Sequence, residues 1–366
     1  MSMRIGAWTR GLLMALAVVF WNGAAHAAWP GKPIRVLVGW SAGGSSDITT
    51  RALALEMEKE LGGRVLVTNV KGAHGSIGGS RVAKGRPDGY QWFGGAAVQG
   101  TWPVMGYGDV SWRDYYAMLS VMLPTTIYVK ADAPWKDLGE LLAAIKSSKK
   151  GQFKYGHPGI GSNGQIFAGL VLNSVDGNKK VTAIPYGGGR EAGRYLISGQ
   201  IKFASVTMGD LTDWAVAGRV RPLANLYSKD IELDGMTFQA VTHTIPSLAA
   251  YEAINPFYGV YLPRKTPSEI VEKTAAAFSK AIKTKKFETL AIKERAGILL
   301  PRLGRASDEQ MSKIASARGW ALQQLGIARH SPEKFDIPKL EDWQWPPNKA
   351  AAQIRPWPRS VESMIP

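Results

Sequence analysis

The hydrophobic pattern of residues 34–61 predicts a buried strand that leads through a short loop into a helix. Residues 34–38 are almost all apolar, as expected for a strand covered on both faces. The loop at 39–47 consists largely of small residues, and its glycines can adopt positive φ. The helix is predicted from apolar residues at helical spacing, namely Ile48, Ala52 and Leu55.

Further along the chain, strands and helices alternate. Strands are predicted at 65–68, 91–93, 126–129, 153–155, 181–184, 201–204, 221–226 and 256–262. Helices are predicted at 78–83, 137–150, 164–172 and 190–198, and three more are expected from 266, at 285–296 and from 307 to Gly326. This alternation indicates parallel α/β sheets, in which ligands collect at the carboxyl ends of the strands.

Small-residue loops follow several of the predicted strands. They lie at 39–47, 94–97, 156–163 and 185–189. After the first loop, Ser46 or Asp47 is expected to cap the helix. Unpaired N–H groups and the positive end of the helix dipole would make such a loop an anion site. The alternative is a tight turn that binds nothing.

Composition and charge restrict the classes of function. The 366 residues are 45% hydrophobic and 20% charged, which is typical of a globular protein with two domains or one large one. The net charge of +16 favours anionic partners. Because the basic residues are scattered, small anionic solutes are favoured and no nucleic acid is expected to bind. The absence of cysteine excludes disulfides, thiol catalysis and Cys-type zinc sites.

Residues 1–27 have the pattern of a secretory leader. A basic segment precedes the apolar stretch 11–21, and residues 25–27 form an A-x-A cleavage signature. We expect cleavage near Ala27 and export of the mature chain, most simply to a bacterial periplasm. No later segment is apolar enough to span a bilayer.

Motifs for nucleotide binding and hydrolysis do not fit the loops. Residues 39–47 match neither a Walker A motif nor a dinucleotide fingerprint. The G-x-S-x-G elbow is absent around the loop serines. His74 and His157 are interpreted as loop residues that hydrogen-bond backbone or line a cleft. We expect no enzyme activity and no cofactor, with a hydrolase as a weak alternative.

No metal motif stands out either. Asp210 and Asp213 are three residues apart, but no histidine joins them. We interpret the pair as the solvated start of a helix and expect no metal site.

Several motifs, in order along the chain, together resemble a known family, the tripartite tricarboxylate transporter substrate-binding proteins, also called TctC-like or Bug receptors. The matching segments are 32–48, 67–69, 75–78, 87–90, 155–162, 184–188, 199–200 and 218–224. The similarity extends from about Trp29 to Gly326. Each motif is weak alone, and their order and spacing together are specific.

The resemblance implies an α/β, two-lobed type II periplasmic binding protein fold with a cleft between the lobes. Lobe 1 would comprise 28–123 and 256–329, and lobe 2 would comprise 124–255. Residues 330–366, rich in proline and tryptophan, would form an extension that is laid over the surface or partly disordered. The expected partners are a small carboxylate ligand and the membrane permease subunits of a transporter, and the chain is expected to be a monomer. A receptor that presents its closed form to a sensor protein is the alternative.

The resemblance also carries the ligand-binding residues over to this chain. The expected set is Trp40, Ser41, Gly43, Gly44, Ser45, Asp47, Ala96, Gly159, Gly161, Ser162, Gln165 and Tyr186. In the family, the loops matching 40–47 and 158–162 hold a ligand carboxylate from the two lobes, and the residue matching Trp40 packs on the ligand body. We expect Asp47 to cap its helix or orient a bridging water, because bare carboxylates repel.

This chain departs from the family pattern at several positions. Trp40 stands in a loop that usually begins Pro-Phe, Gln165 stands for a frequent His, and Val206 stands for a common Asp. The distal pocket is therefore expected to be less acidic and more apolar. This favours aromatic or aliphatic mono- and dicarboxylates over a polar amino acid.

Overall fold

The structure, a computed structural model, describes residues 29–365, so the predicted leader lies outside the described residues. Its strands are β1 (Ile34–Val38), β2 (Val65–Asn69), β3 (Gln91–Ala96), β4 (Tyr115–Met122), β5 (Thr125–Lys130), β6 (Phe153–His157), β7 (Val181–Pro185), β8 (Phe203–Thr207), β9 (Val220–Asn225), β10 (Ile231–Leu233), β11 (Met236–Phe238), β12 (Phe257–Pro263) and β13 (Ile298–Arg302). Within the described part of the chain, no helix is long and apolar enough to cross a membrane.

Helices cover the faces of the sheets. They are α1 (Ser45–Leu61), α2 (Ser76–Ala83), α3 (Leu138–Ser147), α4 (Asn163–Asn173), α5 (Gly189–Ile197), α6 (Met208–Val216), α7 (Ser268–Ala281), α8 (Lys285–Phe287), α9 (Gly304–Gln324) and α10 (Lys349–Ala352). A π-helical turn, Glu288–Lys293, continues α8.

The strands form two principal sheets, and each sheet is the centre of one lobe. Lobe 1 contains the six-stranded sheet β13-β4-β12-β3-β1-β2, and lobe 2 contains the five-stranded sheet β7-β6-β8-β5-β9. Both sheets are mixed. Parallel strands from βαβ units pair with antiparallel strands that lie next to the segments where the chain crosses between lobes. The chain passes from lobe 1 to lobe 2 between β4 and β5 and returns before β12. The mixed α/β class with two lobes is confirmed.

Helix α9 connects the two hydrophobic cores. Met311 and Ile314, near its middle, are buried in the core of lobe 1. Ala321 and Leu322, near its end, are buried in the core of lobe 2. The helix begins at Gly304, so the predicted cap at Ser307 is wrong, and Ser307 is buried inside the helix.

Several predicted boundaries are corrected by the structure. The strand predicted at 91–93 continues through Ala96, so the predicted loop at 94–97 is mostly strand. The buried face of α1 includes Leu53 and Met57, whereas Leu55 of the predicted stripe is 45% exposed. β4 has eight buried residues and was not predicted, because its apolar residues do not alternate with polar ones.

The extension at 330–365 lies on the surface of the two lobes, as one of the two sequence interpretations expected. The indole of Trp357 is buried 4.9 Å from the ring of Tyr116, and its Nε1 donates to Asp308 at 3.0 Å. Asp308 pairs with Arg264 at 2.5 Å, and both side chains are buried. The extension therefore covers a buried ion pair of lobe 1.

Candidate functional site

The lobes meet over a narrow cleft at the carboxyl ends of β1 and β6. Lobe 1 contributes Trp40, Ser41, Gly44, Ser45, Ser46, His74 and Ala96. Lobe 2 contributes Pro158, Asn163, Gly188, Gly189, Thr207 and Asp210, and Tyr258 of β12 lies between them. The cavity measures about 20 Å³, which is room for about one water molecule. The lobes are thus closed on each other, and a larger solute can enter only when they separate.

Five of the predicted binding residues line this cleft and seven do not. Those on the cleft are Trp40, Ser41, Gly44, Ser45 and Ala96. Those away from it are Gly43, Asp47, Gly159, Gly161, Ser162, Gln165 and Tyr186. Tyr186 instead stacks on Tyr195 with 4.5 Å between ring centroids. For all twelve, a role in binding stays a prediction.

Helix α1 begins on the cleft without a cap from its own loop. Its N-cap is Gly44, which offers no side chain, so the predicted caps Ser46 and Asp47 are wrong. The amide of Ser45 instead donates to Oδ1 of Asp210, in lobe 2, at 2.7 Å. A carboxylate from the opposite lobe therefore occupies the start of this helix, where the dipole favours negative charge.

Asp47 shapes the loop before α1. Its carboxylate accepts from the Gly43 amide at 2.9 Å and from Arg51 Nε at 2.9 Å. Asn69 donates both to Asp47 Oδ1 and to the Trp40 carbonyl, each at 3.0 Å. These bonds hold the loop in one conformation and leave the first amide of α1 directed at the cleft.

Trp40 belongs to both the cleft and the core. It lines the cavity, yet only 7% of the residue is exposed. Its ring meets His74 edge-on at 5.7 Å and Phe93 at 6.0 Å. A Cβ on Gly75 would lie 3.0 Å from the indole, so glycine is needed for this close approach.

Two buried histidines flank the cleft, one in each lobe. His74 lines the cavity, and neither ring nitrogen has a hydrogen-bond partner within residues 29–365. Burial, with the charge of Arg318, lowers the pKa of His74 to about 3. Nδ1 of His157 lies 2.9 Å from the Gly159 carbonyl, and burial lowers the pKa of His157 to about 4. Both rings are therefore neutral near pH 7. His74 lines the cleft, as one of the two expected roles, whereas His157 hydrogen-bonds backbone from the last position of β6 rather than from a loop.

The corresponding loop of lobe 2 satisfies its own polar groups. Ser162 caps α4 by accepting from the Gln165 amide at 3.2 Å. Gln165 Oε1 accepts from the Gly161 amide at 2.7 Å, and the Gly159 amide donates to the His157 carbonyl at 2.9 Å. The donors predicted here for a ligand are thus used within the loop itself. Asn163, one residue further, lines the cleft and donates to Thr125 Oγ1 at 2.7 Å.

Asp210 is the residue of the cleft that sequence reasoning misplaced. It lies at the start of α6, as expected, but it is 5% exposed rather than solvated. Its Oδ2 accepts from the Thr207 amide at 3.1 Å, and burial raises the pKa of its carboxyl group. A buried carboxylate therefore lies in the cleft, and the expectation of a less acidic distal pocket stays a prediction. The signal in the sequence was the Thr207–Asp210 capping-box spacing.

Arg318 of α9 is buried behind the cleft. Its Nε donates to the Ile254 carbonyl at 2.8 Å and its Nη1 to the Ala97 carbonyl at 3.2 Å. Burial lowers its pKa to about 10, so it still carries a charge near pH 7. This cation adds positive potential next to Ala96 and His74, which line the cleft.

Comparison with known proteins places the chain in a family. The model of the tripartite tricarboxylate transporter family receptor, TctC, matches residues 49–297. The chain belongs to this family. Members of the TctC family are solute-binding receptors of the periplasm rather than enzymes. The resemblance inferred from the sequence motifs is confirmed.

Similar proteins agree with this assignment. A UPF0065 protein from the TAR-I ttuE-ttuC' intergenic region of Agrobacterium vitis is 28% identical over 284 residues, covering 74% of this chain and 78% of that protein. The periplasmic binding protein BugD superposes with a TM-score of 0.73 at 23% identity, covering 82% of this chain and 99% of BugD. Rpa4515 of R. palustris, solved with adipate, gives a TM-score of 0.73 at 20% identity, covering 82% and 99%. These structures confirm the type II periplasmic binding protein fold.

Proposed function

We propose that this TctC-family protein captures a small mono- or dicarboxylate between its lobes and delivers it to the membrane permease subunits of a tripartite tricarboxylate-type transporter. The chain would act as a monomer in the periplasm after cleavage near Ala27. Its lobes would be 28–123 with 256–329, and 124–255, and they would close on the ligand by a hinge motion.

One observation carries the choice of ligand. The first amide of α1 already holds a carboxylate, that of Asp210, at 2.7 Å in the closed cleft. The position is therefore complementary to a carboxylate in geometry and in the sign of its potential. The buried charge of Arg318 and the net charge of +16 favour an anion further. The similarity in fold to Rpa4515, which holds adipate, supports an aliphatic dicarboxylate as the first candidate.

The remaining cleft residues would select the body of the ligand. Trp40 presents an aromatic surface and Ala96 a small apolar one, while Ser41 and Ser46 offer hydroxyl groups. These side chains suit a ligand with a short aliphatic chain or an aromatic ring that carries one or two carboxylates. Gly159, Gly161, Ser162, Gln165 and Tyr186 would support the loops rather than touch the ligand, because their groups are engaged within lobe 2.

A thermal-shift panel on the mature chain tests the ligand class. It would include aliphatic and aromatic mono- and dicarboxylates, with neutral sugars and cationic amines as controls. A carboxylate present at 100 times its Kd stabilises the folded state by about 2.7 kcal/mol, which raises Tm by roughly 4 °C in a chain of this length. No shift with any carboxylate would contradict the proposal.

Transport and signalling need a separate test. Uptake of the captured carboxylate into proteoliposomes that contain the permease subunits should require this protein. Uptake that proceeds equally without it would favour the alternative of a receptor read by a sensor protein.

A further inference from the structure

The contact between Asp210 and Ser45 joins the two lobes at the place where the proposed ligand would bind. Ser45 is 1% exposed and Asp210 is 5% exposed, so the bond is shielded from water. A buried hydrogen bond to a charged group is stronger than a neutral or exposed one. It therefore stabilises the closed arrangement of the lobes without a bound solute.

The carboxylate of Asp210 is held rigidly by its own lobe. Asp210 is the third residue of α6 and completes a capping box with Thr207, whose amide donates to Oδ2 at 3.1 Å. A Cβ on Gly189 would lie 1.9 Å from Oδ2, and a Cβ on Gly44 would lie 3.1 Å from Oδ1. Glycines of both lobes thus leave room for this carboxylate. A movement of lobe 2 away from lobe 1 would therefore carry this carboxylate away from the Ser45 amide.

The charged and titratable side chains around Asp210 form hydrogen bonds with other groups, so they do not compete with the Ser45 amide for the Asp210 carboxylate. Arg190 Nη1 donates to the Asp210 backbone carbonyl at 3.1 Å and pairs with Asp213. Arg295, from lobe 1, donates to the Gly209 carbonyl at 3.0 Å. The hydroxyls of Tyr128 and Tyr258 donate to the Met208 carbonyl and to Thr207 Oγ1, both at 2.9 Å. The carboxylate of Asp210 therefore remains free to accept hydrogen bonds from the amides of Ser45 and Thr207.

A ligand carboxylate and Asp210 cannot use the Ser45 amide together. The hydrogen bond spans 2.7 Å, which leaves no space for a second oxygen between donor and acceptor. Two carboxylates brought together in a buried site also repel each other. The entering carboxylate must therefore replace Asp210 at the start of α1.

We propose that Asp210 is an internal competitor of the ligand: its carboxylate holds the lobes closed in the absence of ligand and sets the affinity for carboxylates that take its place at Ser45. This inference rests on the proposed function, because it assigns the same helix start to the ligand. Asp210 would then help to determine specificity, because a ligand carboxylate must compensate for the loss of the hydrogen bond between Asp210 and Ser45.

The test measures lobe separation and affinity on the same variants. Spin labels on Leu55→Cys and Val216→Cys report the distance between lobes, because both positions are exposed and the chain has no native cysteine. Adipate is the probe for affinity, measured by calorimetry. Asp210→Ala should shift the ligand-free distances to longer values and raise the affinity for adipate at least about tenfold. Asp132→Asn, which removes an exposed acid of lobe 2, should change neither.

A second variant keeps the test decisive if Asp210→Ala does not fold. Ser45→Pro removes the amide hydrogen at the first helical position, where proline is well tolerated, and Ser45→Ala is its control because it removes the hydroxyl alone. Gly44 before it already has the extended conformation (φ −84°, ψ 175°) that a following proline requires. This variant should separate the lobes as Asp210→Ala does, but without a gain in affinity, because the amide that the carboxylate needs is gone.

Each outcome separates this inference from the proposed function. Unchanged lobe distances in both variants would overturn the inference. A loss of adipate affinity in Asp210→Ala would also overturn it, because Asp210 would then contact the ligand directly. If the distances shift but no variant binds adipate or any other carboxylate of the panel, the lobe contact is supported and the proposed function is contradicted.

Discussion

The starts of helices α1 and α4 arise from the same sequence pattern but differ in what they offer a ligand. Each follows a strand and a glycine-containing loop, and each lies where the two lobes meet. In lobe 2, Ser162 caps α4 by accepting from the amide of Gln165, the third residue of the helix, and Gln165 accepts from the Gly161 amide of the loop. In lobe 1, the N-cap is Gly44, and the Ser45 amide finds its acceptor only across the cleft.

The difference is that α4 has a side-chain cap from its own loop, whereas α1 has none and its first amide is bonded from the other lobe. A glycine at the N-cap costs a helix little, but it leaves an amide to be satisfied by another group. The two lobes therefore have unequal tasks in the proposed capture. Lobe 1 would bind the carboxylate, and lobe 2 would close over it with Pro158, Asn163 and Asp210.

The largest effect is expected from Ser45→Pro. Without the first amide of α1, the affinity for a bound carboxylate should fall by about 100-fold, the value of a hydrogen bond to a charged group. This fall in affinity can be measured by isothermal titration with the carboxylate identified in the thermal-shift panel. Unchanged affinity would mean that the start of α1 is not the anion site.

Trp40→Ala should have the next largest effect. This variant distinguishes a role of the indole in the core of lobe 1 from a role in covering the ligand. Loss of a buried indole should lower the free energy of unfolding by about 3 kcal/mol, because the core of lobe 1 loses its contacts with Phe93. If the ring also covers the ligand, affinity should fall at least about tenfold. Trp40→Phe is the matched control, expected to retain more of both. A stability loss with unchanged affinity would assign Trp40 to the core alone.

Acid titration should reveal the buried histidine of lobe 2. Because burial lowers the pKa of His157 to about 4, the unfolded chain, with an ordinary value near 6.5, takes up a proton first as pH falls. His157 therefore contributes a loss of about 1.5 kcal/mol in unfolding free energy between pH 6.5 and 5. The loss measured by denaturant unfolding should shrink by that amount in His157→Gln. An identical pH dependence in the variant would show that His157 is not buried as a neutral ring.

The smallest effect is expected from Ser162→Ala, in the self-capped loop. Loss of this cap should cost about 1 kcal/mol of stability, visible as a small fall in Tm. Affinity for the carboxylate should stay within about twofold of the wild type, because Ser162 serves α4 and not the cleft. A large loss of affinity with little change in Tm would show that Ser162 serves the ligand rather than α4, which would contradict the proposed difference between the two loops.

The sequence predicts the parts of this molecule that depend on local pattern. The strand–loop–helix unit at 34–61 and most of the strands follow from periodicity and small-residue loops. The motifs also predict the family, which the TctC match confirms. Of the twelve predicted binding residues, those that lie on the cleft come from the loop before α1 and from the end of β3.

Contacts between distant segments could not be predicted in the same way. Asp210 caps α1 from 165 residues away, and this depends on how the lobes dock rather than on any local pattern. Likewise, the self-satisfied loop at 159–165 depends on side-chain hydrogen bonds that the spacing of glycines does not reveal. The sequence therefore predicts two similar loops, and the geometry distinguishes them.

A crystal structure of the protein with its carboxylate tests the central claim most directly. We predict that a carboxylate oxygen of the ligand accepts from the Ser45 amide at about 2.7–3.2 Å, in place of Asp210 Oδ1. A complex in which Asp210 still accepts from Ser45, with the carboxylate bound elsewhere, would contradict the account.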